Sequence, residues 1–293
     1  MSIRRLFASA LGLAALGVIG SAGAASLTTS GYAENFDEIG TGTALPSGWI
    51  SYIGTGSNNT WTTSIPGTGV AAMTPTGGGS AGVTGTSAAL TVNNSLTTGS
   101  TLVASTNGNG INAINPFGTS TDRVLVSSPT GVDGTAWQLT LANSTGAALS
   151  SINVSYDVIR FNVTNTGNSG SYANNPYGEE LPGLELFYST DGTTWNNAAW
   201  SDVSNTTSPT YTTTTGENTF SGTLSLASAV ANGSNIYLRW VDDNGELSSP
   251  DQDLGLNNVN VAVAPVPLPA GLPLLASALG ALGLFGRRRQ QNA

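Results

Sequence analysis

The chain has 293 residues, of which 39% are hydrophobic and only 9% charged, against roughly a quarter charged in an ordinary globular protein. It contains neither Cys nor His, which excludes disulfides, thiolate nucleophiles, Cys/His zinc centres and a Ser-His-Asp triad. All eight basic residues are Arg, and only Arg123, Arg160 and Arg239 face the 17 acids between Glu34 and Asp253. Such a surface repels nucleic acid and anionic headgroups and attracts cations, calcium above all.

The chain opens with "MSIRR", a charged segment, then the apolar run "LFASALGLAALGVIG" and the small residues "SAGAAS". This order predicts a secretory signal peptide over residues 1–25, cut by signal peptidase after Ala24 or Ala25.

Residues 26–264 read as one domain of short strands between Gly, Asn and Thr turns: an all-β, antiparallel sandwich of jelly-roll type. "DRVLVSS", "AWQLTLANS", "INVSYDVIRFNV", "LELFYST", "NIYLRWV" and "VNVAV" are the clearest strands. Ile152, Val154, Tyr156 and Val158 share one face, and Asn153, Ser155 and Asp157 the other. The apolar set then shifts to Ile159, Phe161 and Val163, which predicts a bulge or a corner. Asp191-Gly192 predicts a tight hairpin turn. Residues 74–87 read as a flexible Gly-rich segment and 165–183 as a long loop, a frequent place for function. No helical period of useful length is present.

Several constellations carry candidate chemistry. Asp242, Asp243, Glu246, Asp251 and Asp253 fall within twelve residues. Calcium takes six to eight oxygen ligands and suits such a loop, although the spacing is not that of an EF-hand; a solvated acidic hairpin explains the cluster equally well. A second calcium set pairs Glu34 and Asp37 with Asn258, since first and last strands often adjoin in such sandwiches. Tyr172 and Tyr177, among Asn and Gly on the long loop, suit contact with a polysaccharide. Trp49, Trp61, Trp195 and Trp200 could stack on sugars, but core packing is the commoner use. Glu179 and Glu180 are neighbours and point apart in a strand, unlike a glycosidase pair. The three central arginines are expected in ion pairs, Arg239 with Asp242 or Asp243. No catalytic residue is identified.

The chain closes with "VPLPAGLPLLASALGALGLFGRRRQQNA". Pro265, Pro267 and Pro269 make a stiff, extended lead. An apolar run over 271–286 follows, and Arg287, Arg288 and Arg289 end it. Sixteen helical residues span about 24 Å, short of the ~30 Å hydrocarbon core. The run is fit for transient inner-membrane insertion, with the Arg cluster held on the cytoplasmic side. The order of motif, short helix and Arg cluster over 265–293 resembles the PEP-CTERM class of bacterial sorting signals. Val266, Pro267, Leu268, Pro269 and Ala270 resemble its VPLPA variant. That resemblance implies a Gram-negative bacterium that makes exopolysaccharide. It also implies processing by an exosortase, with release to the cell surface or matrix.

In the middle of the chain, "AENFDEIGTGTALPSGW", "TDRVLVSSPTG", "VSYDVIR", "LELFYSTDGTTW" and "YLRWVDDNG…LGLNNVNV" resemble a jelly-roll module of secreted bacterial proteins. Where that module carries an acid before the strand Arg and two acids near its end, this chain has Val158-Ile159 and Asn257-Asn258. The expectation is an exported, non-catalytic surface or matrix protein associated with exopolysaccharide. A carbohydrate-binding module, calcium-dependent or not, is the alternative, and a secreted hydrolase is the third reading.

Overall fold

Period-two alternation of apolar and polar residues gives strands such as Trp49–Ile53 and the first half of Leu149–Arg160 one buried and one outward row, whereas Arg123–Ser128 and most of Gly134–Asn143 are buried on both faces. The computed structural model describes residues 23–54, 67–76, 90–98, 108–129, 132–161, 184–201, 215–243 and 253–264. Two sheets of seven strands face each other. The first runs β11 (Asn196–Asn197), β10 (Glu185–Ser189), β13 (Asn235–Asp243), β8 (Gly134–Asn143), β3 (Trp49–Ile53), β4 (Thr74–Thr76), with β1 (Ala25–Leu27) also on β8. The second runs β12 (Gly216–Val230), β9 (Leu149–Arg160), β14 (Leu254–Val263), β7 (Arg123–Ser128), β6 (Gly108–Ile114), β5 (Thr91–Asn93), with β2 (Tyr32–Glu34) also on β14.

The sandwich is all-β, as the alternation implied, but its sheets are mixed. β1 pairs parallel to β8 and β5 parallel to β6. Both exceptions are three-residue strands added to longer ones, where local hydrogen bonding rather than hairpin geometry sets direction.

The core lies between the sheets. Ile236, Leu238 and Trp240 on β13 meet Ile152, Val154, Tyr156 and Val158 on β9. Trp49 stacks on Trp240 with centroids 5.4 Å apart, and Phe36 meets Trp49 edge-on at 5.0 Å. Tyr156 meets Trp240 edge-on at 5.7 Å, joining the two sheets through aromatic contact; such pairs add about 0.5–1.5 kcal/mol each beyond burial. Trp200 closes one side of the sandwich, and Gly222 is what admits it. A Cβ there would lie 2.4 Å from the indole. Trp49 and Trp195 are likewise buried, whereas Trp61 falls outside the described residues.

Three local expectations along the strands need correction. β9 does not bulge at Ile159: its pairing with β12 stays in register from Arg160 to Ser151. The shifted apolar residues are instead buried on the outer face, where Ile159 and Phe161 pack with Leu96, Ile111, Val124 and Val126. Asp191 and Gly192 do sit in a hairpin connection, but the loop is wide, since Tyr188 pairs with Asn196. Asp191 Oδ1 holds it by accepting the Thr193 and Thr194 N–H groups, each at 2.7 Å. Residues 74–76, read as flexible, form β4 at a sheet edge, where Pro75 costs no ladder bond. A short helix, α1 (Gly67–Ala72), offers only Val70 to the interior and so carries no helical period of useful length, as the sequence implies.

α1 covers the outer face of the first sheet. Val70, Met73, Ala136, Phe187, Trp195 and Val241 form a second apolar cluster there. Arg239 lies inside it, only 3% exposed. Its guanidinium sits 3.9 Å from the centre of the Tyr52 ring and 4.1 Å from that of Trp195. It donates to Gln138 Oε1 from Nε at 3.0 Å and from Nη2, and to the Val70 carbonyl. Burial pushes its pKa down to about 10. The expected ion pair with Asp242 does not form, because residues three apart on a strand point to opposite faces. Asp242 faces inward and bridges the sheets, accepting the Ser127 hydroxyl at 2.6 Å. Asp243 shares the parity of Arg239 but lies four residues along the strand, about 13 Å away.

Candidate ligand-binding face

The outer face of the second sheet is built differently. On β9 the outward row is Asn153, Ser155 and Asp157. The pairing sets Thr223 beside Asn153, Ser221 beside Ser155 and Thr219 beside Asp157. β14 adds Asn260 and Ala262 on the other side. Asn153, Ser155, Ser221, Thr223, Asn260 and Ala262, with Val154 and Gly222, line an open groove of about 330 Å³ that includes no charged side chain. Thr223 Oγ1 donates to Asn153 Oδ1 at 2.7 Å, which fixes the amide.

Above the groove lies a network of acids tied by amides. Asn257 Nδ2 donates to Asp122 Oδ1 at 3.0 Å, and Asn258 Nδ2 to Asp157 Oδ2 at 2.7 Å. Asn115 Nδ2 donates to Asp122 Oδ2 at 2.9 Å and to Glu217 Oε1 at 3.3 Å. Asn258 is the extra residue of a bulge: Asn257 pairs with Asp157, but Asn260 already pairs with Ser155. Its φ of 47° is left-handed, a conformation Asn tolerates better than most residues. Burial, together with the charges of Asp37 and Asp157, raises the Asp122 pKa against the pull of its two amide donors. Burial and then the charges of Asp157 and Asp122 raise that of Glu217.

The sequence-derived sites map onto this structure unevenly. Glu34 pairs with Val259 across β2 and β14. Glu34, Glu38 and Asn258 line a second hollow, of about 350 Å³. Asp37 is engaged elsewhere. Its Oδ1 accepts the Arg123 N–H at 2.9 Å, and its Oδ2 accepts Asn35 Nδ2 at 2.9 Å. Of the other acidic set, Asp242 and Asp253 are buried and Asp243 ends β13. Glu246 and Asp251 lie outside the described residues, as do Tyr172, Tyr177, Glu179 and Glu180. Among the described residues no group of three or more acids is arranged to hold a metal ion. Arg123 is held by amides, Nε by Asn112 Oδ1 and Nη1 by Asn94 Oδ1, each at 2.8 Å.

Residues 1–22 and 265–293 also lie outside the described residues, and with them the apolar termini and the sorting motif. Ala24 is exposed, and Ala25 is the buried first residue of β1. Among the described residues no helix is long and apolar enough to cross a membrane.

No protein-family model matches the chain, and neither does any curated protein. Among solved structures, a cyclase from Fischerella sp. TAU is 14% identical with a TM-score of 0.34, covering 77% of this chain and 88% of its own. The K1 cleaved adhesin domain of Lys-gingipain from Porphyromonas gingivalis W83 is 9% identical with a TM-score of 0.31, covering 80% and 99%. The TmCBM61 structure in complex with β-1,4-galactotriose is 8% identical with a TM-score of 0.26, covering 51% and 75%. At these scores none of them bears on what this chain does.

Sequence reasoning missed the groove and most of the network. The outward row of β9 was legible as polar, but its neighbours on β12 and β14 are more than 60 residues distant. Only a known register brings Asn153, Thr223 and Asn260 together.

Proposed function

We propose that this protein is an exported, non-catalytic surface or matrix component that binds a neutral extracellular polysaccharide through a jelly-roll-like sandwich. The carrying observation is the uncharged groove of amides and hydroxyls on an otherwise acidic protein. A neutral hydroxyl-rich chain exchanges hydrogen bonds with such groups without the desolvation cost that a charged ligand would bring. The terminal segments support the export half of the reading: a signal-peptide pattern at one end, and a VPLPA-type motif with apolar run and Arg cluster at the other. Absence of His and Cys, and amide hydrogen bonds to Asp122 and Asp157, support a binding role over acid–base chemistry.

Affinity electrophoresis of the full chain through gels containing a neutral glucan, a neutral galactan or a polyuronate tests this. Retardation by a neutral polymer is expected, with no release of reducing sugar. Free migration in all three gels would leave a plain matrix component without polysaccharide affinity. Intact-mass analysis of protein recovered from the cell surface tests the address. Retention of residues 271–293 would refute processing.

A further inference from the structure

Among the described residues, Phe117 is the one exposed large hydrophobic, 43% accessible. A single surface hydrophobe is ordinary by itself, but this one stands at the tip of a braced turn. Asn115-Pro116-Phe117-Gly118 has Asn first, Pro second and Gly fourth, the preferences of a type I turn. Gly118 N–H closes it on the Asn115 carbonyl at 3.2 Å, and Asn115 Oδ1 accepts the Phe117 N–H at 3.0 Å. The base is clamped by Asn115 N–H to the Asp122 carbonyl at 2.9 Å. A Cβ on Gly118 would fall 1.9 Å from the Asp122 carboxylate, so any other residue there would displace that side chain.

The bonds from the base of this loop also place it. Asn115 follows β6, yet its amide reaches Glu217 on β12, the far edge strand of the same sheet. Asp122 accepts from Asn257 on β14. The base of the loop therefore reaches over the outer face toward β14 and β9, between the outward pairs Glu217–Ile159 and Thr219–Asp157. The groove begins at Ser155 and Ser221, one outward pair (roughly 7 Å) beyond Asp157–Thr219 and two (roughly 13 Å) beyond Glu217.

From this geometry we propose that Phe117 is a stacking platform at the rim of the groove, taking the apolar C–H face of a pyranose whose neighbours along the chain lie on Asn153 and Asn260. This rests on the polysaccharide reading above and names its contact. A sugar ring has one face of C–H groups and an equatorial belt of hydroxyls, so it needs an aromatic ring beside hydrogen-bonding side chains. Phe117 supplies the ring, and the groove supplies the amides and hydroxyls. A braced turn keeps the ring presented before the ligand arrives, which reduces the entropic cost of binding.

The test uses the full chain and its F117A, F117Y, F117W and N153A/N260A variants on the neutral polymer that retards the wild type. F117A should bind at least about tenfold more weakly, the value of one stacking contact. F117Y and F117W should bind within about threefold of wild type, and the melting temperature should be unchanged because the ring is exposed. N153A/N260A should also lose affinity. If F117A binds like wild type while N153A/N260A does not, the platform is refuted and the groove reading survives. If no neutral polymer binds the wild type, both fall together.

Discussion

The two outer faces of the sandwich use opposite means of dealing with polar groups. On the first sheet a cation is enclosed: α1, Tyr52 and Trp195 cover Arg239, and Gln138 and a helix carbonyl accept its hydrogen bonds. On the second sheet acids and amides are tied to one another, with Asn115, Asn257 and Asp157 buried and Asp122, Glu217 and Asn258 reaching water, and an open groove lies beside them. The difference separates stability from recognition. An enclosed cation must be satisfied completely, because each polar group left unpaired costs about 1–3 kcal/mol. A half-exposed network can lose a member to water, and a groove whose groups already face water can exchange it for ligand.

R239A should therefore be the most damaging change to this pair of faces. It removes two ring contacts, leaves Gln138 Oε1 and the Val70 carbonyl without their donor and opens a cavity, for an expected loss of about 3–5 kcal/mol. R239K should recover little, since an ammonium cannot lie flat between two rings while donating in plane. N153A/N260A should cost less than about 1 kcal/mol. Urea melts of the three variants measure this, and equal losses on both faces would remove the distinction.

The part of this comparison that was legible beforehand is the alternation. Ile236, Leu238 and Trp240 against Tyr237, Arg239 and Val241 announced a strand with two distinct faces. What covers each face was not legible. Arg239 looked like an ion-pair partner because two acids follow it closely, and only the pleat shows that Asp242 points away. The apolar shift at Ile159 looked like a bulge because a sandwich strand is assumed to bury one face; it in fact buries both. Phe117 gave a local signal, a turn sequence, but nothing local says that its loop folds across a sheet.

Acidity should act on the second face. Asp122 and Glu217 have raised pKa values in the fold, chiefly through burial and then through neighbouring acids, and burial raises that of Glu34 too. A carboxyl that holds its proton more tightly when folded contributes stability that is full below its unfolded pKa, near 4. That contribution is lost as pH rises through the folded value. Asp191 runs the other way, lowered by the Thr194 and Thr193 N–H groups. Its contribution is present above the usual carboxylate range and fades only in stronger acid. Between pH 7.5 and pH 5 the raised group dominates. The melting temperature should rise by on the order of 2 °C, a small value because these groups are partly exposed and screened. D122N should flatten the profile, and a wild-type melting temperature that falls over this interval would contradict the assignment.

The smallest effect belongs to the bulge that joins network and groove. Asn258 combines a left-handed backbone with a hydrogen bond to Asp157, and substitution can separate the two. N258G keeps the backbone and loses only the bond, which water replaces at this exposed position, so a change within about 0.5 kcal/mol is expected. N258A keeps neither and should cost about 1 kcal/mol. N258D keeps the backbone but replaces the amide donor with a carboxylate set against Asp157, so it should cost more than N258G. Melts of the three variants at pH 4 and pH 7.5 measure both contributions. If N258G proves worse than N258A at both pH values, the backbone conformation is not what selects Asn there, and the network rather than the bulge fixes the edge of the groove.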